Sequence, residues 1–364
     1  MNPPMVTEST PQPTSLVQAL LPRAGDLRTG NYRGAIVPEQ FSADEFARLL
    51  TGAVVFDQGW RKRLRITGED RVRWLNGILT NNITDLADHT GNYSFLLSPQ
   101  GRLQGDVYAY ISGDAAIVET DASQLERIRA WMDHYIIMDD VIVEDTPSLA
   151  ATLAVAGVES EKLLASLGID AAALTPLHLN DAKIAAISVT IVRDDTSCRP
   201  LFSLWCDEAD VAQLWQALVD AGAHPAGSST AELLRIASGT PLFGRDITDR
   251  SLAQETGQDR ALHFSKGCYI GQEIVERIRS RGQVHRGWTG FTLALDAAAP
   301  LPETPAPVVA NGESIGELSS IASLPLPDGA KAVGLGIVRH AALATGTPLS
   351  TNGASLTPTR PPFI

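Results

Sequence analysis

The run Lys266-Gly267-Cys268-Tyr269-Ile270-Gly271-Gln272-Glu273 holds the side chains best suited to chemistry in this chain. It carries one of three cysteines, with Lys266 two residues before it. Apolar residues at 274, 275 and 278 follow with the spacing of one helix face, so a helix is expected to begin just after the cysteine. A thiol ahead of a helix N-terminus and beside a lysine sits in a positive field. That field favours the thiolate and raises its nucleophilicity. Cys268 and Lys266 are therefore the candidate catalytic residues. The competing reading makes Cys268 a small buried hydrophobe in a glycine-rich turn, where free cysteines are commonly found.

A second candidate lies on a hairpin. Residues 93–97 and 103–111 read as paired strands around the turn Ser98-Pro99-Gln100-Gly101. Period two puts Gln104, Asp106, Tyr108 and Tyr110 on one face, either enclosed or solvated. Arg235 falls on a helix at about 230–237. The stretch 239–265 after it has little periodicity. Loops of that length inside a domain are usually functional, and this one delivers the chain into the cysteine run.

The elements that must position these residues follow from pattern. Ser42 can cap a helix, with Glu45 at the capping-box position, ahead of the apolar stripe Phe46, Leu49 and Leu50. A strand at 64–67 leads into a helix buried through Val72, Leu75, Ile78 and Leu79. Asp121 and Gln124 open a helix lined by Leu125, Ile128, Trp131, Met132 and Tyr135. Strands near 150–156, 184–193 and 200–206 alternate with helices near 159–167 and 208–221, which reads as an α+β layer. A Pro-rich linker at 296–307 sits among short strands near 287–295, 313–321, 331–338 and 353–358, the pattern of a small barrel or sandwich. Residues 1–14 are rich in Pro, Thr and Gln and read as disordered, with a short helix at 16–21.

Composition narrows the partners. A chain of 364 residues exceeds one ordinary core, so two or three domains are expected. The net charge of −13 argues against nucleic acid as the main partner, although Arg277, Arg279, Arg281, His285 and Arg286 form a local basic patch. Cys198, Cys206 and Cys268 contain no CxxC pair and point to a reducing, cytoplasmic setting. They are too few for a four-thiolate cluster. His263, Cys268 and His285 lack a tight ligand pair, so no metal site is expected. No apolar run reaches the ~20 residues of a membrane span.

Several stretches together resemble the YgfZ-type folate-binding proteins, relatives of the glycine-cleavage T protein, an aminomethyltransferase. They are LRITGEDRVRWLNGILTNN at 64–82, SPQGR at 98–102, RIASGTPLFGRD at 235–246, ETGQDRALHFSKGCYIGQE at 255–273 with 279–286 after it, and GELSS at 316–320. The KGCYIGQE run is specific to the YgfZ branch. The resemblance implies an α+β, three-domain T-protein-like architecture. Residues 31–148 and 228–285 would form a discontinuous folate-binding domain behind a disordered stretch at 1–30. Residues 149–227 would form a ferredoxin-like α+β domain, and 286–364 a C-terminal β-barrel.

The same resemblance implies tetrahydrofolate, or a one-carbon derivative, in a central channel. It also implies a role in iron–sulfur cluster assembly or repair, with cluster-assembly or client proteins as partners and Cys268 as the key thiol. In that scheme Asp106 accepts from the pteridine N–H groups and Arg235 pairs with a carboxylate of the glutamate tail. Lys266 holds the thiolate or the anionic tail. Tyr108, Gly271, Gln272 and Glu273 complete the candidate contacts, with a helix first turn as the alternative role for the last two. The sequence departs from the T protein at four places. A paired Asp-Asp reads Gly105-Asp106, an acidic folate contact reads Ser203, and Arg-Ile-Glu-Ala-Gly reads Arg235-Ile236-Ala237-Ser238-Gly239. The Asp after Thr-Asn reads Asn82. An active aminomethyltransferase and a non-enzymatic, folate-responsive scaffold stay open beside the main reading.

Overall fold

A five-stranded antiparallel sheet carries the hairpin face singled out above. Its order is Gly91–Leu97, Leu103–Ser112, Ala115–Asp121, Arg61–Thr67 and Ile142–Asp145 in the computed structural model. The structure describes residues 10–21, 27–146, 148–282, 284–295, 299–344 and 346–364. Gly101, at φ +71°, closes the hairpin turn in the left-handed region. Alternation then decides the faces. Val107 and Ala109 turn towards the helices Arg71–Ile78 and Leu125–His134, where Leu75, Ile78, Trp131 and Met132 are buried with them. Asp106, Tyr108 and Tyr110 turn the other way. Burying an apolar side chain of this size contributes ~1.5–3 kcal/mol, so this helix-facing layer fixes the register of the strand.

The second sheet is larger than the segment 149–227 can supply. Its order is Asn180–Ile184, Ile187–Arg193, Leu201–Cys206, Ala151–Ala156, Val54–Asp57 and His224–Ala226. Val54–Asp57 comes from the segment assigned to the first domain and pairs antiparallel with Ala151–Ala156. All four of its residues are buried, and a strand buried on both faces reads as a continuous apolar run that periodicity cannot assign to a sheet. The helices Ser15–Leu20, Ser160–Ser166 and Val211–Asp220 bury Leu16, Leu163, Leu164, Leu214 and Leu218 in the core over this sheet.

The expected disorder at 1–30 does not hold where the chain is described. Gln12–Pro13 pairs in parallel with Ala35–Gln40. Thr14 caps the first helix, accepting from the Val17 N–H at 3.3 Å, and its hydroxyl donates to the buried carboxylate of Asp57. Those anchors come from outside the segment, so its polar composition does not reveal them. Residues 1–9 and 22–26 lie outside the described residues.

The C-terminal strands close into a six-stranded barrel that begins at Arg286–Ala294. Ala306–Ala310 is one of its strands, so the end of the expected linker at 296–307 is structured. The helix Ser228–Ser238 stands between the barrel and the rest of the molecule. The stretch 239–265 contains two short 3-10 turns, Ala253–Thr256 and Asp259–Ala261, and is otherwise irregular. It is held because Phe243, Ile247, Ala261 and Leu262 bury against Tyr93, Phe95 and Leu97 of the hairpin. No helix among the described residues is long and apolar enough to cross a membrane.

Candidate functional site

A cleft enclosing about 810 Å³, part of it open to solvent, lies where the two sheets meet the helix Ser228–Ser238. Phe56, Trp60 and Tyr108 give it aromatic walls, and Arg33, Arg61 and Glu119 give it charge. Arg33 reaches it from the tip of the hairpin Arg28–Tyr32/Ala35–Gln40, at φ +52°. Its guanidinium lies 5.1 Å from the Tyr32 ring and 5.9 Å from the Trp60 ring, and Nη1 donates to Asp121 Oδ2 at 3.3 Å. Arg61 Nη1 donates to the other Asp121 oxygen at 2.9 Å, and its Nε donates to Glu119 at 3.1 Å. Burial works against the charge on Arg61, but Glu119 and Asp121 outweigh it and hold the guanidinium well above its ordinary pKa. Two donors here are buried without an acceptor among the described residues: Arg33 Nε and Trp60 Nε1.

Asp106 sits one layer behind this wall. Its Oδ2 accepts from the Tyr93 hydroxyl at 2.7 Å and its Oδ1 from Gln124 Nε2 at 2.7 Å. Burial raises its pKa and the nearby Asp121 adds to the rise, while the two hydrogen bonds oppose it. Arg260 covers the Tyr93 ring at 3.9 Å, donates to the Tyr108 hydroxyl at 3.3 Å and pairs with Asp195 at 2.6 Å. The chain of contacts from cleft to carboxylate therefore runs Tyr108, Arg260, Tyr93, Asp106. Ser203 lines the cleft as well, with its hydroxyl donating to Gln58 Oε1 at 2.6 Å.

Arg235 lines the cleft but has nothing left to give a ligand. A guanidinium has five N–H donors. Here Nε goes to Glu232 at 2.9 Å, Nη1 to Thr240 O and Asp246 at 2.6 Å each, and Nη2 to Glu232 and Ser320 at 2.7 Å each. The expected pairing with a folate carboxylate is corrected accordingly: Arg235 is a buried strut between its own helix, the following loop and the barrel. Burial opposes the charge on Glu232, yet Arg235, Arg33 and Arg245 prevail and hold that carboxylate down at about 2.

The cysteine run lies at the end of the helix Arg71–Ile78, and none of its members lines the cleft. Cys268 is exposed, so the buried-hydrophobe reading fails. The helix Gln272–Arg281 begins four residues after it. Lys266, however, points away from the role of thiolate neighbour. Its Nζ donates to Asn76 O at 2.6 Å, Leu79 O at 2.7 Å and Asn81 O at 2.6 Å. The last carbonyls of a helix have no partner of their own and carry partial negative charge, so they draw the ammonium in. Burial pushes the Lys266 amine down to about 7, but three acceptors at these distances require all three protons.

The remaining candidates are local. Gly271, at φ +82°, caps the helix, and a Cβ there would come within 2.7 Å of Ser98 O, so glycine lets the run close on the hairpin turn. Gln272 and exposed Glu273 form the first helical turn, where the Glu273 charge meets the dipole. Of the predicted folate contacts, the structure brings Tyr108 and Arg235 to the cleft, leaves Asp106 just behind it, and keeps Gly271, Gln272 and Glu273 elsewhere. Arg33, Trp60 and Arg260 were not legible in the sequence. Arg33 gains its partner across 88 residues, and no local pattern reports that.

Residues 27–266 match the family model described as the GCVT N-terminal domain, and residues 291–364 match the CAF17 C-terminal beta-barrel domain. An aminomethyltransferase of Geobacillus kaustophilus is 26% identical over 329 residues, 88% of this chain and 88% of that protein. One from Rubrobacter xylanophilus is 27% identical over 302 residues, 82% and 80% of the two chains. The crystal structure of the glycine cleavage system aminomethyltransferase T from Bartonella henselae superposes with a TM-score of 0.85 at 20% identity, covering 98% of both chains. The fold is that T-protein-like arrangement, α+β with a closed C-terminal barrel.

Proposed function

The chain belongs to the GCVT N-terminal domain family, and on that premise we propose that it binds tetrahydrofolate, or a one-carbon derivative, in the central cleft and supports iron–sulfur cluster assembly or repair in the cytoplasm through the thiol of Cys268. The observation that carries the folate part is that two residues lining the aromatic cleft, Arg33 and Trp60, each keep a buried donor, Nε and Nε1, without an acceptor among the described residues. Leaving such a group unpaired costs ~1–3 kcal/mol, and the ring nitrogens and carbonyl of a pteridine supply the missing acceptors. Trp60 and Phe56, already stacked at 6.1 Å, give a flat ring a surface to lie on. Glu119 and the side chains of Tyr108 and Gln58 supply polar contacts around it, while Asp106 holds Tyr93 and Arg260 holds Tyr108 in place. A bound folate would supply one-carbon carrier chemistry.

The iron–sulfur part rests on the resemblance of the KGCYIGQE run and on the exposure of Cys268, which a partner protein can reach. In this reading residues 31–148 and 228–285 make up the folate-binding unit, with Val54–Asp57 lent to the neighbouring sheet. The names of the relatives favour a second reading, transfer of an aminomethyl carbon to tetrahydrofolate. Against it stands Gly105, where a Cβ would meet Ile128 at 3.1 Å and Gln124 at 3.2 Å, leaving a second carboxylate no ready room.

Anaerobic calorimetry with tetrahydrofolate tests the proposal. Wild type binds, Trp60→Phe weakens binding about tenfold by removing one N–H, and Cys268→Ala binds normally. Cys268→Ala then fails to restore iron–sulfur enzyme activity in cells lacking their own copy. Absence of binding by wild type removes the folate part, and full restoration by Cys268→Ala removes the thiol part. Product from an aminomethyl-lipoyl carrier would install the second reading.

A further inference from the structure

A second concavity, enclosing about 1030 Å³ with part of it open to solvent, opens between the loop after the helix Ser228–Ser238 and three adjacent strands of the barrel, Arg286–Ala294, Glu313–Leu326 and Gly329–Arg339. Arg245, Arg250, Arg286 and Arg339 line it, in a chain whose net charge is −13. Two of the four are held from outside the lining: Arg245 by Glu232 at 2.6 Å and Arg286 by Glu255 at 2.8 Å. Those acids hold the two guanidiniums at the groove. Arg250 and Arg339 have no ion pair among the described residues. Arg250 is placed by its backbone, since its carbonyl accepts from Arg102 Nη1 at 2.6 Å and its N–H donates to Thr248 at 3.2 Å.

The acids in the lining do not balance this charge. Asp246 is buried and spent, accepting from Arg235, Ser319, Ser320 and the Leu242 N–H. Glu317 is the other carboxylate facing the groove. The feature least expected of a merely solvated surface is the strand pairing. Arg286 and Arg339 are directly opposite on antiparallel strands of the barrel, with both side chains in the same groove. Like charges in that position destabilise a sheet; Glu255 and Glu317 offset part of the Arg286 charge, and an anion between the two guanidiniums would add an attraction to each. Thr248, Ser251 and Ser314 add hydroxyls to the same lining.

We propose that this arginine groove binds a small, multiply charged anion bearing phosphate or carboxylate groups, at a site separate from the central cleft. It stands independently of the folate reading, because none of the four arginines lines that cleft. The test uses the full chain, with pyrophosphate and citrate as probes in calorimetry at physiological ionic strength. One-to-one saturable binding of either probe is expected, and the tighter of the two identifies a phosphoryl or a carboxylate ligand. Arg250→Gln/Arg339→Gln weakens it about tenfold or more. Without any anion, Arg339→Gln alone melts at or above the wild-type temperature, since it removes the cross-strand repulsion. Heats no larger than those of sodium chloride at equal ionic strength overturn the proposal. So does undiminished binding by the double variant.

Discussion

Lys266→Met separates a lysine that does chemistry from one that holds the backbone. Methionine keeps an unbranched stem of similar length and removes only the ammonium. Three carbonyls, of Asn76, Leu79 and Asn81, lose their donor. Charge-assisted hydrogen bonds contribute ~1.5–3 kcal/mol each, so the three together represent ~5–9 kcal/mol. Burying the ammonium costs the wild type several kcal/mol in desolvation, which the methionine variant does not carry. A net local loss of ~3 kcal/mol remains, or about two orders of magnitude in the opening equilibrium of the loop. Two amides report it directly. The His263 N–H donates to Thr80 O at 3.1 Å and the Ile270 N–H to Gly77 O at 3.2 Å, on either side of Lys266. Hydrogen exchange followed by mass spectrometry should show segment 262–271 opening about a hundredfold more often in Lys266→Met, with the barrel strands unchanged. Lys266→Arg should fall between, because a planar fork cannot place three donors at the one point on which the three carbonyls converge. If the loop of Lys266→Met exchanges as in wild type while iron–sulfur support is lost, the backbone role is refuted and Lys266 belongs to the chemistry.

Two further perturbations bear on the frame of the cleft. Arg235→Met leaves the Asp246 carboxylate, whose side chain is 0% exposed, without its cation; this should cost ~3–5 kcal/mol in urea unfolding. An Arg235→Met protein of wild-type stability that has lost only folate affinity would show that Arg235 anchors ligand after all. Asp57 tests the N-terminal anchor through pH. Burial raises its carboxyl from 3.8 to about 6, against the opposing hydrogen bonds from Thr14 and Gly59. Because the folded pKa is the higher one, ionisation costs nothing below about pH 4. The cost grows as pH rises through that window and reaches ~3 kcal/mol above pH 6, at 1.36 kcal/mol per unit. Asp57→Asn should therefore match wild type in melting temperature near pH 4 and exceed it by pH 7.5; a difference independent of pH would contradict the burial argument.

The sequence by itself determined what depends on near neighbours. Period two set Asp106, Tyr108 and Tyr110 on one face of their strand, and helical spacing buried Leu75, Ile78, Trp131 and Met132 against its other face. Turn glycines and short alternating runs gave the barrel its strands, and the loop at 239–265 stood out by lacking any period. These signals are local because backbone geometry repeats every two residues in a strand and every 3.6 in a helix. The direction taken by a long polar side chain is not local. Lys266 follows the unpaired carbonyls of a helix end 190 residues earlier in the chain. Arg235 spends its donors on groups as far as 85 residues away. Arg33 meets Asp121, and Val54–Asp57 finds a sheet whose other central strands come after residue 150. The arginine groove joins residues 245, 250, 286 and 339, which the sequence offers only as scattered cations. Charged groups with long, flexible stems settle wherever burial, helix dipoles and opposite charges leave a vacant partner, and that partner exists only once the sheets have closed around the cleft.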